Sequence, residues 1–347
     1  MNNAQNSSTS PESLEKLCIN AIRVLSMDAV QKADSGHPGT PMALAPLAYV
    51  LWTRHLRYNP KTPAWIDRDR FVLSCGHASM LLYSVLYLTG YDLSLDDIKH
   101  FRQWESRTPG HPEFGYTPGV ETTTGPLGQG FGNSVGMAVA EAQLAQIFNR
   151  PDHGVIDHHT YFMASDGDMM EGISHEAASY AGHAKLGKLI GFYDDNHITI
   201  EGDTALTFSD DTGKRFEAYH WHVQHVADAN DLDALDKAIV AAKEVGDRPS
   251  LIIIRSHIGY GSPHKHDTAE AHGSPLGVEE IKLTKENLGY PSQEPFYVAP
   301  EALEYWRTMG QRGLDLETAW QKKYDSYKNT NPKDASELER RLDGEFQ

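Results

Sequence analysis

Apolar and polar residues are arranged along the chain in blocks that predict helices and strands in turn. Apolar residues at helical spacing begin at Leu14 and predict a first helix, which must end before His37-Pro38-Gly39 because this segment cannot continue a helix. We expect strands at 71–74, 161–164, 189–193 and 251–255, and helices at 14–35, 41–55, 79–89, 94–104, 132–148, 172–185, 231–244 and 278–286. This alternation predicts an α/β fold, a doubly wound parallel sheet with helices on both faces.

The same pattern divides the chain into three parts. Residues 1–13 are polar and lack both a basic start and an apolar segment, which predicts a disordered tail and no signal peptide. Residues 14–290 carry the β/α alternation and predict one domain. Residues 291–347 are polar with helical patches and predict a helical extension. No run of about 18 apolar residues is present, so we expect no membrane span.

The charge balance narrows the possible partners. The chain has 347 residues and a net charge of −17, from 31 Lys and Arg against 48 Asp and Glu. Such a surface disfavours nucleic acid and anionic membranes, so a phosphate ligand would be held by backbone N–H groups, histidines or a metal. The two cysteines, Cys18 and Cys75, cannot form a disulfide framework and indicate a reducing, cytoplasmic compartment.

Polar side chains follow two of the predicted strands directly. Asp166 follows the strand at 161–164, and Asn196 follows the strand at 189–193. The carboxyl ends of neighbouring parallel strands meet at one edge of a sheet, where α/β proteins bind ligands. Carboxylate and amide oxygens suit Mg²⁺ or Ca²⁺ when a phosphate completes the shell, so we predict a metal–diphosphate site. The alternative is two ordinary surface turns, since Asp, Gly and Asn are common turn residues.

A glycine-rich loop at 124–132, with the sequence TGPLGQGFG, leads directly into a predicted helix. Such a loop lets backbone N–H groups approach a diphosphate at the positive end of a helix dipole. The loop fits neither the P-loop nor the G-x-G-x-x-G pattern. A tight turn with close helix packing is an equally good interpretation of the loop by itself.

Four histidines lie in glycine-containing loops, where imidazole can transfer protons or bind hydroxyl and phosphate groups. They are His37, His77, His111 and His272. Other histidines occur at spacings that resemble transition-metal sites, namely His158 and His159, His220, His222 and His225, and His264 and His266. These lack cysteine partners or an HExxH frame, so we interpret them as surface or loop residues.

Seven segments together resemble the transketolase family, in that family's order, over about residues 14–290. They are SGHPGTPM, DRFVLSCGHAS, TPGHPE, GVETTTGPLGQGFGNSVGMA, SDGDMMEGISHEA, FYDDNHITIEG and AHGSPLG. Two positions depart from the family pattern. Ser165 replaces the first glycine of Gly-Asp-Gly, and Cys75 replaces the Asn or Lys that often precedes Gly-His. The change at Ser165 is harmless to the chemistry if the backbone there is not left-handed.

The resemblance implies a set of roles for individual residues. Mg²⁺ or Ca²⁺ would be held by Asp166, Asn196 and the carbonyl of Ile198. Thiamine diphosphate would be held by Gly125, Pro126, Leu127, Gly167 and Asn196, with His77 and His272. His37, His111 and His272 would line the substrate channel, and Glu171 would lie between paired active sites. The candidate catalytic residues are therefore His37, His77, His111, His272 and Glu171.

The resemblance also implies that this chain carries only half of the active site. In the family, a second α/β domain supplies the glutamate that activates the aminopyrimidine ring. We expect the N-terminal subunit of a split transketolase, which acts on sugar phosphates in a heterotetramer with a complementary C-terminal chain. Three alternatives remain open: a domain cut from a full-length enzyme, the α-subunit of a 2-oxo-acid dehydrogenase, and a non-catalytic cofactor-binding homologue. The TTTGPLGQG and AHGSPLG segments argue against the dehydrogenase, because they belong to sugar handling.

Overall fold

A parallel five-stranded sheet forms the centre of the molecule, in a computed structural model that describes residues 11–344. The strands lie in the order β1-β2-β3-β7-β6, and every neighbouring pair is parallel. Their bounds are β1 Arg70–Leu73, β2 Thr160–Ser165, β3 Leu189–Asp195, β6 His222–Val226 and β7 Ser250–Arg255. A separate antiparallel hairpin joins β4 Ile198–Thr199 to β5 Gly202–Asp203. The predicted α/β fold with a doubly wound parallel sheet is confirmed.

Helices connect the strands and cover both faces of the sheet. They are α1 Pro11–Ala33, α2 Gly39–Val50, α3 Ser79–Thr89, α4 Leu95–Lys99, α5 Gln129–Phe148, α6 Asp166–Met170, α7 Gly172–His183, α8 Thr212–Ala218, α9 Leu232–Glu244, α10 Val278–Asn287, α11 Pro300–Thr330 and α12 Pro332–Leu342. Within residues 11–344, no helix combines the length and apolar content needed to cross a bilayer.

Alternate residues of each strand enter two separate cores, as expected for a sheet buried on both faces. Met163 and Phe192 pack with α1, α2, α3 and α9 on one face. Phe162 and Tyr193 pack with Phe131 of α5 and with α7 on the other face. The strands are therefore apolar on both sides, which explains their continuous apolar runs in the sequence.

Several elements differ from the sequence-based expectation, among them the hairpin of β4 and β5 and the short helices α6 and α8, which were not predicted. Strand β6 was not predicted, because an edge strand with the sequence HVQHV has too few apolar residues to stand out. Helix α4 ends at Lys99 and does not reach residue 104, since Arg102 adopts a left-handed backbone with φ 61°. The C-terminal extension contains a long helix, α11, followed by the shorter α12, instead of helical patches.

Both ends of the described chain pack on the domain. Helix α1 begins at Pro11, three residues before the predicted start, and residues 1–10 of the predicted tail lie outside the described residues. Trp306 of α11 is fully buried, and its indole N–H donates to the Cys18 carbonyl at 3.2 Å. The described part of the extension, residues 291–344, therefore contributes to the core beside α1.

Candidate active site

The carboxyl ends of β2 and β3 bring the two predicted metal ligands to one edge of the sheet. Ser165 is paired with Asp194 in the parallel register, so Asp166 and Asn196 follow at neighbouring positions. Both side chains are buried. The backbone at Ser165 is extended, with φ −105° and ψ 176°, so serine replaces the family's glycine without strain.

Asp166 has one carboxylate oxygen bound and one free. Its Oδ1 accepts a hydrogen bond from the Tyr193 hydroxyl at 2.5 Å. Its Oδ2 is buried and has no protein partner. Burial, together with the nearby Asp194 and Asp195, raises the pKa of Asp166 to about 7 against the hydrogen bond from Tyr193. An unpaired buried carboxylate oxygen is costly unless a cation or proton meets it, so this atom favours a cation ligand.

Asn196 is held in a fixed orientation by its neighbours. Its Nδ2 donates to Asp194 Oδ2 at 2.8 Å, and its Oδ1 accepts from the Ile198 N–H at 2.8 Å. Asp194 is in turn held by the Ser256 hydroxyl. The amide oxygen keeps a second lone pair, so it can still take a metal ion as a further partner.

The glycine loop is pinned to the end of β2 by one buried carboxylate. Asp168 Oδ1 accepts from the Gly128 N–H at 2.7 Å and from the Ser74 hydroxyl at 2.7 Å. Asp168 Oδ2 accepts from the Ser165 N–H at 2.8 Å. Gly128 adopts a left-handed backbone with φ 77° where helix α5 begins. Asp168 therefore ties the glycine loop to the end of β2, directly before Asp166.

The loop also fits closely against its neighbours. A Cβ atom added at Gly76 would lie 2.7 Å from Thr124 Oγ1 and 2.8 Å from the Gly125 nitrogen. A Cβ atom at Gly167 would lie 2.8 Å from a methyl group of Leu127. Gly167, predicted from a separate motif, thus lies against the loop that contains Gly125 and Leu127. Pro126 belongs to the same loop.

Three of the four predicted histidines form a contacting cluster. The ring centroids of His37 and His77 lie 5.0 Å apart, those of His37 and His272 5.6 Å, and those of His77 and His272 5.3 Å. The fourth, His111, lies beside Gly125, whose added Cβ would be 3.4 Å from the imidazole Cγ. The structure brings together four residues from four separate connecting segments.

Burial disfavours the charged form of these imidazoles, and two of them have unused ring nitrogens. Burial, together with the neighbouring His272 and Arg102, lowers the pKa of His37 to about 4. Burial also lowers the pKa values of His77, His111 and His272. His77 Nε2 and His272 Nδ1 are buried and have no hydrogen-bond partner in the protein. The cluster therefore presents polar atoms whose partners must come from a bound molecule.

Glu171 lies apart from the histidine cluster. It is exposed between α6 and α7, beside a hollow of about 1100 Å³ next to the glycine loop. Leu127, Ile173 and Tyr180 line this hollow, and Ile173 and Tyr180 are each about half exposed, at 45% and 52%. The hollow is thus an apolar surface directly beside the candidate site.

Four supporting residues were not assigned roles from the sequence: Ser74, Asp168, Tyr193 and Asp194. Asp168 had a local signal, because Ser165 and Asp168 form the Ser-x-x-Asp pattern of a capping box. Tyr193 and Asp194 gave no signal, since both lie in a strand and act through neighbours on other elements.

The residues present fit a diphosphate cofactor and its metal ion. Asp166 Oδ2 is an orphaned carboxylate oxygen, and His77 Nε2 and His272 Nδ1 are orphaned imidazole nitrogens. Gly167, next to Asp166, contacts the glycine loop at Leu127, and Gly76, next to His77, contacts it at Gly125. A loop whose backbone opens a helix lies between these groups, as a diphosphate site requires.

The fold and site define a class of cofactor-binding domain. Residues 14–347 match the family model described as "Transketolase, thiamine diphosphate binding domain". The chain belongs to the transketolase family. It is 58% identical over 337 residues to a transketolase of Nostoc, and 57% identical over 325 residues to transketolase 2 of Escherichia coli. These matches cover 96% and 94% of this chain, but 50% and 48% of the relatives.

Solved structures agree with the sequence relatives. A Pichia stipitis transketolase in complex with sedoheptulose-7-phosphate superposes with a TM-score of 0.93 at 45% identity, over 95% of this chain and 49% of that one. A transketolase from Leishmania mexicana superposes with a TM-score of 0.93 at 44% identity, over 96% of this chain and 49% of that one. The chain therefore spans about half the length of the relatives that it matches.

Proposed function

We propose that this chain is the diphosphate- and metal-binding half of a transketolase, which transfers a two-carbon ketol group from a ketose phosphate to an aldose phosphate. The observation that carries the proposal is the set of buried atoms without partners, Asp166 Oδ2, His77 Nε2 and His272 Nδ1, around a glycine loop. When bound, thiamine diphosphate supplies the nucleophilic carbon that takes up the two-carbon fragment.

The residues at the strand ends would hold the metal and the diphosphate. Asp166, Asn196 and the carbonyl of Ile198 would bind Mg²⁺ or Ca²⁺, which accept hard oxygen ligands. Tyr193 holds Asp166, and Asp194 holds Asn196, so both ligand side chains are fixed before a metal arrives. Backbone groups of the glycine loop and of Gly167 would bind the diphosphate from the other side.

The histidines would handle the substrate. Neutral imidazoles with free nitrogens can accept a proton from one sugar hydroxyl and donate one to another. His37, His77 and His272 contact one another, so a substrate bound beside one ring can be reached by all three. Arg102, whose Nη2 lies 3.5 Å from His37 Nδ1, disfavours a charged His37.

The complementary half would dock on the apolar hollow beside the glycine loop. Ile173 and Tyr180 are exposed there, and a surface of this kind next to a cofactor site is typical of an interface. Glu171 lies at the same surface, in keeping with a role between paired active sites. We propose that the pyrimidine-binding half comes from a complementary C-terminal chain in a heterotetramer. The names of the relatives favour transketolase chemistry over that of a 2-oxo-acid dehydrogenase.

Reconstitution tests the proposal. The purified chain is mixed with the C-terminal half of a cognate transketolase, thiamine diphosphate and Mg²⁺, and ketol transfer to an aldose phosphate is measured. We expect transfer only when all components are present. Calorimetric titration of the same mixture should show thiamine diphosphate binding that requires the metal. An assembled pair that binds no thiamine diphosphate in the presence of Mg²⁺ would indicate a non-catalytic homologue.

A further inference from the structure

Two histidines and one aspartate of the loop that follows β7 lie close together and are not part of the histidine cluster of the candidate active site. His257 Nδ1 lies 2.7 Å from Asp267 Oδ2, and His266 Nε2 lies 3.6 Å from the same oxygen. One ligand atom from each of the three residues lies within 4.8 Å of the other two. Within residues 11–344, no other group of three His, Cys, Asp or Glu side chains meets this spacing.

We propose that His257, His266 and Asp267 form a binding site for a divalent transition-metal ion, with Zn²⁺ as the ion that fits best. Two imidazoles and one carboxylate are the ligands of open zinc sites, which leave a fourth position to water. Hard ions such as Mg²⁺ prefer oxygen ligands, so this site differs in chemistry from the pair Asp166 and Asn196.

The two distances to Asp267 Oδ2 are close to the spacing of ligands around a tetrahedral ion. With metal–ligand distances of about 2.1 Å, ligand atoms lie about 3.4 Å apart. The 3.6 Å between His266 Nε2 and Asp267 Oδ2 already matches this value. The shorter contact between His257 and Asp267 is a hydrogen bond, which would open by less than 1 Å when an ion replaced the shared proton.

The loop holds the three residues in place without a metal. Asp267 has a left-handed backbone, with φ 55°, and its N–H donates to the Ile258 carbonyl at 2.9 Å. This bond closes the loop beside His257, so that Asp267 lies next to a residue ten positions earlier in the chain. The Lys265 N–H donates to Ser262 Oγ at 3.1 Å and braces the turn before His266. Metal binding therefore costs little conformational entropy, because the three residues are already held in place.

Access and charge both favour a cation from solvent. The side chains of His257, His266 and Asp267 are 36%, 37% and 39% exposed, so an ion can enter without rearrangement of the core. The chain as a whole carries a net charge of −17. The nearby His264 is not part of the site, because its imidazole contacts Glu280 at 2.8 Å.

Calorimetric titration of the metal-free chain with Zn²⁺ tests the proposal, with excess Mg²⁺ present to occupy the hard-oxygen site. We expect one Zn²⁺ per chain. His257→Ala and His266→Ala should each weaken binding by at least about 10- to 100-fold, the range measured even for residues that only support metal ligands. Titration with Co²⁺ should give the visible absorption of a tetrahedral site, and both variants should lose it.

His264→Ala is the matched control, since it removes an exposed histidine from the same loop. This variant should bind Zn²⁺ as tightly as the unmodified chain. Urea unfolding without metal should be the same for all three variants, which separates ligand loss from misfolding. Equal Zn²⁺ affinity in the unmodified chain and in the double variant His257→Ala/His266→Ala would overturn the proposal. Equal losses in the His264→Ala and His266→Ala variants would also overturn it.

Discussion

The Gly128 N–H donates to Asp168 Oδ1 at 2.7 Å, a bond between residues 40 positions apart that ties the glycine loop to the end of β2. Asp168 also accepts from Ser74 and from Ser165. One fully buried carboxylate thus holds three segments of the candidate site in register.

Replacement of Asp168 should destabilise the fold. Asp168→Ala leaves the buried N–H groups of Gly128 and Ser165 without acceptors. Each unsatisfied group lowers the free energy of unfolding by about 1–3 kcal/mol. We therefore expect a loss of at least about 2 kcal/mol in the free energy of unfolding, measured by urea denaturation. The control Asp247→Ala removes a carboxylate that is 75% exposed, and it should change stability by no more than about 0.5 kcal/mol. Equal stability of the two variants would contradict the role given to Asp168.

Replacement of Gly76 should displace the glycine loop. Gly76→Ala places a methyl group within 2.8 Å of the Gly125 nitrogen, so the loop must shift. We expect lower stability and weaker thiamine diphosphate binding in the reconstituted pair. Gly136→Ala is the contrasting variant, because an added Cβ there meets nothing within 4 Å in the middle of α5. It should stabilise the isolated chain by about 0.5–1 kcal/mol.

Replacement of Asp166 should remove metal-dependent cofactor binding. Asp166→Ala takes away the charged ligand of the proposed shell. Asp210→Ala removes a carboxylate that lines the same cavity but pairs with Arg215. In calorimetric titrations with the partner half and Mg²⁺, only the Asp166 variant should lose thiamine diphosphate affinity. Affinity within a few-fold of the unmodified pair would show that the metal lies elsewhere.

Replacement of His272 should affect turnover more than folding. His272 Nδ1 has no protein partner, so His272→Ala breaks no hydrogen bond at that atom. Loss of a proton-transfer group typically lowers kcat by about 10²- to 10⁴-fold. We expect that loss in the reconstituted pair, with the Tm of the isolated chain nearly unchanged. His183→Ala, at an exposed position of α7, should alter neither quantity. A large fall in Tm with unchanged kinetics would indicate a structural role.

Acid should destabilise the chain through its buried histidines. Because the pKa of His37 is lowered from 6.5 to about 4, the unfolded chain binds more protons between these values. The resulting decrease in the free energy of unfolding is absent above pH 6.5, grows as pH falls, and is complete below about pH 4. Asp69 and Asp194, whose pKa values burial raises to about 6, act in the opposite direction. Their effect cancels when His37→Asn is compared with the unmodified chain.

Thermal unfolding of both proteins across pH 4 to 6.5 measures this difference. The Tm of the His37→Asn variant should fall less than that of the unmodified chain. Parallel Tm curves would show that His37 keeps an ordinary pKa in the folded protein.

Local sequence patterns were sufficient for most of the fold. Strand β3 is a continuous apolar run, and its buried position in a parallel sheet follows from that run. Asp166 and Asn196 could be paired in advance, because residues that follow neighbouring parallel strands must meet at one edge. Strand β6 could not be predicted, since its stability comes from pairing with β7 and not from its own polar residues.

The sequence by itself determined the α/β class, the position of the glycine loop and the strand ends that carry Asp166 and Asn196, because these depend on short-range periodicity and turn chemistry. Only the tertiary structure decided which polar groups meet. His37, His77 and His272 come from distant segments, and Asp168 binds a loop 40 residues away. The spacing of His264 and His266 in the sequence resembled a metal site, yet His266 lies beside Asp267 and His257 in the structure. Such contacts depend on how loops close over a packed core, and residue spacing along the chain does not encode them.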